Sequence, residues 1–330
     1  MTNITTLATR ARILRGIREF FWLRGLLEVE TPVLLAHPSQ EPELEPLTTV
    51  LRDHRGNPHE GFLRMSPEFS IKKILGAVAD LQPAVAGCFE IGPVFRDGEP
   101  WGGQHNPEFT MLEFYELGKD YHALMDTCED LVRALCAPQP APHLAAPWER
   151  LTMRAAWERY ANLDLAALLH RDVMAAACRA RGYTVVDDDT FDDCFFRIFL
   201  TDIEPQLGRE RPTFVYDWPM QMAALAKTRG DDPRWAERVE LYSGGLELAN
   251  GFTELTDSVE QRARFVCDRA QRRAMGRTPH PIDEAFLAAL DTIPPVAGMA
   301  VGVDRIVMLL TGAPSIDAVR WLPASELWSG

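Results

Sequence analysis

The sequence predicts an α+β fold, an antiparallel β-sheet flanked by helices, and three segments predict it. Residues 95–115, FRDGEPWGGQHNPEFTMLEFY, read as a strand ending in Arg96, a glycine-rich loop and a returning strand. Residues 237–255, ERVELYSGGLELANGFTEL, read as two strands about a tight turn. Residues 297–310, AGMAVGVDRIVMLL, read as a glycine-rich strand that runs into a helix.

The elements follow in order. Leu7, Ala11, Leu14, Ile17 and Phe21 recur at helical spacing over 5–23, and Gly25 stops the helix. LLEVETP (26–32) is a short strand ended by Pro32, and 36–60 reads as loop, with several prolines and the turn HRGNPHEG. MSPEFSIKKIL (65–75) starts a helix with Ser66 as N-cap, Pro67 in the first position and Glu68 in the first turn. A helix over 119–136 leads to a Pro/Ala linker, APQPAPHLAAP (137–147). Residues 148–210 read as a mostly helical insertion in a chain otherwise organised as one domain over 1–330, and strands resume at RPTFVYDWP (211–219).

Composition narrows the function classes. The chain has 330 residues, 46% hydrophobic and 25% charged, enough apolar content for a large core. No run of about 18 apolar residues is present, so nothing is expected to span a membrane. The start, MTNITTLATRARILRG, lacks the apolar stretch of a secretory signal, and the cytoplasm is the expected location. Cys88, Cys128, Cys136, Cys178, Cys194 and Cys267 show no CxxC pairing and read as reduced, mostly buried thiols. A net charge of −14 argues against broad nucleic-acid contact. Neither GxxxxGK[ST] nor GxGxxG occurs in the segments around Arg96 and Arg305, so they form neither a P-loop nor a Rossmann nucleotide site.

Chemistry concentrates in the same three segments. In EFTMLEFY, Phe109, Met111, Glu113 and Tyr115 alternate onto one strand face, and Leu112 and Phe114 onto the other. A buried Glu113 needs a partner: a structural one from backbone or Arg, or a cationic ligand. Closing the hairpin at Ser243-Gly244 puts Glu240 directly opposite Glu247. Opposed carboxylates invite a hard divalent cation such as Mg²⁺, or else form a solvated acidic edge. Asn250, Phe252 and Glu254 share a face, which Glu247 joins only through a bulge, expected at Gly251. Gly302 lets backbone approach a ligand, Asp304 can cap the following helix, and Arg305 in its first turn suits an anion.

Arg96 with its glycine-rich loop and GVDR with its helix are similar to motifs 2 and 3 of class II aminoacyl-tRNA synthetases, and the 5–32 helix, strand and proline are similar to motif 1. HNPEFTMLEFY, GLELANGFTEL and GVDRIVMLL resemble the lysine subgroup. No segment resembles an anticodon-binding OB-fold, so the chain is identified as a member of the elongation factor P–lysine ligase family, class II catalytic domains that stand alone. The resemblance implies ATP held by Arg96, Glu99, Asn106, Phe109, Glu247, Leu248, Gly302 and Arg305, with Arg96 and Arg305 catalytic and Phe109 and Arg305 sandwiching the adenine. It implies Mg²⁺ on Glu240 and Glu247. It places the substrate's backbone-side amine at Glu68 and Glu113 and its terminal ammonium at Tyr115 and Glu254, with Ser66, Asn250 and Ala300 as further substrate-binding residues. Ala300 either packs the strand or chooses between lysine and (R)-β-lysine. Elongation factor P is the implied acceptor and a homodimer the implied assembly; tRNA is disfavoured. The rival readings are a truncated synthetase charging tRNA or a carrier, and a non-catalytic amino-acid-binding paralogue. DGEPWGGQ is one residue longer than that family's loop, Gly103 and Gln104 stand where it often has Arg, and the tail RWLPASELWSG differs from it.

Overall fold

The computed structural model describes residues 4–136 and 142–328, so residues 137–141 of the expected linker lie outside the described residues. Two compact units form: Met1–Lys119 with Glu254–Gly330, and Asp120–Thr253. In chain order the strands among the described residues are β1 (Leu26–Glu28), β2 (Leu34–Leu35), β3 (Thr48–Arg52), β4 (Pro58–Leu63), β5 (Gly87–Phe95), β6 (Glu108–Leu117), β7 (Glu149–Thr152), β8 (Thr213–Pro219), β9 (Trp235–Ser243), β10 (Leu246–Thr253) and β11 (Val296–Gly302). The longer helices are α1 (Ile4–Leu23), α2 (Glu68–Ala79), α3 (Tyr121–Cys136), α4 (Arg171–Ala180), α5 (Phe191–Ile198), α6 (Ser258–Ala274), α7 (Glu284–Leu290) and α8 (Val303–Thr311).

In the first unit the strand order is β1-β5-β6-β11, antiparallel except for the parallel β1/β5 pair. Strand alternation gives β6 two different faces. One carries Leu112 and Phe114, fully buried, with Phe114 packed 4.9 Å from Phe21 of α1. The buried row of α1 is Leu7, Ile13, Ile17 and Phe21; Ala11, expected inside, is exposed. The larger Ile13 removes more apolar surface from water, and this selects the row. The other face of β6 carries the candidate site.

The stretch 36–60, expected to be loop, instead contains β3 and the start of β4, which pair in the order β2-β4-β3. Its turn is built by Asp53, whose side chain accepts from the backbone N–H groups of Arg55 and Asn57 at 2.8 and 2.9 Å. That Asx turn brings two strands together across residues whose Pro and Gly content resembles loop.

In the second unit the order is β10-β9-β8-β7, with β7/β8 parallel. Residues 148–210 are mostly helical, with β7 and connecting turns such as 181–190 between the helices, and Trp157, Phe195, Phe199, Trp218 and Tyr242 share one core. The β9–β10 turn corrects the expected register. It closes at Gly244-Gly245, both with positive φ (63° and 79°), so Ser243 pairs with Leu246, Tyr242 with Glu247 and Glu240 with Asn250. A two-residue hairpin turn of this kind needs φ > 0 at both central positions, which two glycines adopt without strain and Ser243 would not. Glu240 and Glu247 are therefore not directly opposite.

Candidate active site

The site face of β6 is walled by small residues. Across the β6/β11 ladder, Tyr115 faces Gly298, Glu113 faces Ala300 and Met111 faces Gly302. A side chain on Gly298 would fall within 2.3 Å of the Tyr115 ring and 2.6 Å of Glu254 Oε1. Glycine there lets the phenol and the carboxylate lie against the strand. On the β5 side Glu113 faces Glu90. Glu90 is already matched, accepting from Arg64 Nη1 at 2.5 Å and Thr31 Oγ1 at 2.7 Å.

Glu113 itself is 2% exposed and has only hydroxyl partners. Ser66 Oγ donates to it at 2.5 Å and Tyr115 OH at 3.0 Å. Ser66 does both tasks the sequence allows, because its Oγ also accepts from Glu68 N–H at 2.9 Å at the start of α2. Burial first, then the field of Glu68, pushes the Glu113 carboxyl up to about 8. Burial likewise raises the Tyr115 hydroxyl, with Glu113 adding to it.

Sequence reasoning missed Lys72. It is 1% exposed, and its ammonium lies 2.6 Å from Glu68 Oε1 and 2.6 Å from Glu254 Oε2. Burial alone would lower its pKa, but Glu254 and Glu68 reverse this and hold it above its ordinary range. A signal was available: Lys72 sits among Phe69, Ile71, Leu75 and Val78 on the buried face of α2, where a lysine demands a partner.

The arginines are set beside this face in the same unit. Arg96 follows the last residue of β5, and its guanidinium lies 5.2 Å from the centroid of the Phe109 ring. Its Nε is buried without a hydrogen-bond partner, which suits an anion. Arg305 lies in the first turn of α8; its Nη2 is 3.3 Å from His105 Nε2, which is 3.9 Å from Glu99 Oε2. Asp304 does not cap α8, as expected from sequence. It accepts from Thr110 N–H at 2.6 Å and Arg10 Nη1 at 2.6 Å, pinning α8 to β6 and α1. A capping carboxylate would have to point back to its own helix end; Asp304 points to an arginine instead. The C-terminal segment braces the loop before β6. Ile316 N–H donates to Gly103 C=O at 2.7 Å, Ala324 N–H to Asn106 Oδ1 at 2.9 Å, and Arg320 to Glu108 at 3.0 Å.

In the second unit a bulge between Glu247 and Ala249, at Leu248 rather than at Gly251, puts Glu247 on the same face as Asn250 and Glu240. Glu240 is not the unpaired acid expected from sequence. Arg238 Nη2 donates to it at 2.6 Å, Tyr242 OH donates to its other oxygen, and Arg238 Nε reaches Asn250 Oδ1 at 3.3 Å. Burial pushes Glu240 up to about 7 and Glu247 adds to this, while Arg238 opposes it. Two acids on one face, one of which raises the pKa of the other, fit a cation. The cysteines are free: Cys88, Cys128, Cys178 and Cys194 are buried, Cys136 is half-buried and Cys267 exposed.

The family comparison decides the class. Residues 2–326 match the family of tRNA synthetases class II (D, K and N). The chain belongs to that class II synthetase family. Its curated relatives include three named "Elongation factor P--(R)-beta-lysine ligase". The one from Mannheimia succiniciproducens is 39% identical over 96% of this chain and 94% of its own length. That of Vibrio cholerae is 38% identical over 97% and 96%, and that of Hamiltonella defensa 36% identical over 98% and 96%. The expected class II fold thus holds, as an α+β arrangement whose sheet is mixed rather than purely antiparallel. No helix among the described residues is long and apolar enough to cross a membrane.

Proposed function

We infer that the chain activates lysine or (R)-β-lysine with ATP as an aminoacyl adenylate and transfers it to a lysine side chain of elongation factor P. The ligase names of relatives matching nearly the whole chain support this reading. The observation that carries it is the excess of buried carboxylate on the β6 face. Buried Glu113 and Glu254 and the partly exposed Glu68 are offset there, among the described residues, by Lys72 alone, as a dicationic substrate requires.

In the first step the amino-acid carboxylate attacks the α-phosphorus of ATP, forming the acyl–phosphate bond as the bond to pyrophosphate breaks. In the second, the acceptor lysine amine attacks the carbonyl and AMP leaves. Arg96 and Arg305 meet the phosphate charge, with Glu99, Asn106, Phe109, Leu248 and Gly302 as the nucleotide's further contacts. Glu240 and Glu247 would hold Mg²⁺, which supplies charge neutralisation at the phosphates. Glu68 and Glu113 take the backbone-side amine and Tyr115 and Glu254 the terminal ammonium, with Ser66 and Asn250 as further substrate contacts. Positioning and charge stabilisation supply the catalysis, so no Ser or Cys nucleophile is needed. On this reading 1–330 serve one catalytic domain with 148–210 an insertion, working as a homodimer in the cytoplasm.

Mass spectrometry of elongation factor P after incubation with enzyme, ATP and each amino acid tests this. Labelled lysine or β-lysine should appear on the protein far in excess of tRNA; efficient tRNA charging with unmodified elongation factor P would establish the synthetase reading instead.

A further inference from the structure

Lys72 stands out as a buried cation with no exposed surface to serve. Its ammonium touches two carboxylates from different elements: Glu68, one turn earlier on α2, and Glu254, just past β10 in sequence. The two ion pairs differ in consequence. Glu68 is tied to Lys72 along its own helix, an ordinary four-residue spacing. Glu254 is 4% exposed and is held through Oε2 only. Both its oxygens are buried without a well-aligned hydrogen bond; Oε2 has the Lys72 ammonium at 2.6 Å, whereas Oε1 has no such contact and lies over Gly298 beside the Tyr115 ring. A buried carboxylate oxygen left open in this way is costly unless something completes it. The charged groups facing Lys72 are Glu68 and Glu254; Glu113 adds to the negative field around them, and Glu41 to that around Glu68.

We propose that Lys72 is a positioning residue for substrate choice: it fixes the Glu254 carboxylate by one oxygen, so that the other stands ready to accept the terminal ammonium of lysine or β-lysine. The proposal rests on the functional reading above. Burial pushes the Glu254 carboxyl up to about 8 and Lys72 opposes it, so removing Lys72 both frees the carboxyl to turn and raises it further. A Glu254 no longer aimed through Oε2 discriminates less between an ammonium and a methyl group. Lys72 thus acts on specificity through Glu254 and touches no reacting atom.

The test compares β-lysine with the same acid lacking its terminal amine, by kcat/KM in pyrophosphate exchange. Lys72→Gln keeps a hydrogen-bond donor without the charge. The double variant Lys72→Met/Glu68→Gln removes one charge of each sign and so protects the fold. Both should lower the preference for β-lysine by about tenfold or more, because discrimination by a buried polar contact collapses when that contact is lost. The KM for ATP should move by less than about twofold, since the arginines are untouched. A purely structural lysine would depress both amino acids equally, and an unchanged preference in either folded variant overturns the proposal. Glu254→Gln separates the two levels. If it also leaves the preference unchanged, the assignment of Glu254 in the functional reading fails; if it abolishes the preference while the Lys72 variants do not, only the role of Lys72 fails.

Discussion

Glu113 on β6 and Glu240 on β9 are built to one local pattern and left in opposite conditions. Each is a buried strand carboxylate that accepts from the hydroxyl of a tyrosine two residues on, Tyr115 or Tyr242. Two residues back, Glu240 has Arg238, which donates to it at 2.6 Å, and Glu113 has Met111. The cation within the strand largely answers Glu240, which burial still pushes to about 7. Glu113 has no such answer and reaches about 8. The pattern Glu-x-Tyr thus fixes one carboxylate oxygen in both strands, and the residue on the far side of the glutamate decides how much of its charge is answered before any ligand arrives.

The largest effects should come from the groups that complete each side of the comparison. Arg96→Ala, Arg305→Ala and Glu247→Gln should each lower amino-acid-dependent ATP–pyrophosphate exchange by at least about a hundredfold, the scale of losing one strong transition-state contact. Near-normal exchange in folded variants would show that neither the arginines nor the hairpin acid serves ATP.

A smaller effect sharpens the Glu113 side. Ala300 lies directly across the ladder from Glu113. On the proposed reading its methyl would take room that an α-amino group needs, whereas an amine one carbon further along would avoid it. Ala300→Gly should raise kcat/KM for α-lysine relative to (R)-β-lysine by about tenfold, within the range of one methylene-sized change. An equal ratio in both proteins would make Ala300 a packing choice only.

The smallest effect is in pH. Glu113 faces Ser66 and Tyr115, the charges of Glu68 and Glu254, and across β5 the matched Glu90–Arg64 pair. Its folded pKa is raised, so its contribution to stability is whole below the ordinary carboxylate range and is lost as pH climbs towards about 8. The melting temperature of the ligand-free protein should fall over that span, and Glu113→Gln should flatten the slope. A dicationic substrate favours the ionised form, so calorimetry in buffers of different ionisation enthalpy should show proton release on binding near neutral pH. Binding without proton exchange would mean that Glu113 is already ionised in the empty pocket.

Much of this was legible in the sequence because period and spacing carry it. The strand faces of 108–117 and the stop of α8 at Gly312 follow from local rules that the fold does not override; α2 begins one residue later than expected, at Glu68 with Pro67 in the cap position, although Ser66 Oγ still accepts from Glu68 N–H. What was not legible depended on one-residue choices or on distant partners. Ser243-Gly244-Gly245 offers two possible turns, and the second wins because both central residues must take positive φ. The bulge at Leu248 follows from that slip. Asp304 and Glu240 have arginine partners, one far away in sequence and the other two residues back, that pattern reading did not assign.

The tail that braces the loop before β6 does so largely through main-chain donors, Ile316 N–H to Gly103 C=O and Ala324 N–H to Asn106 Oδ1. On the tail side these two contacts do not depend on side-chain identity, whereas on the loop side one needs the Asn106 amide and the other only the Gly103 carbonyl. Proline is the exception, since at 316 or 324 it would delete the donor itself. The C-terminal segment and the loop before β6 thus meet as one joint, hung from two main-chain donors.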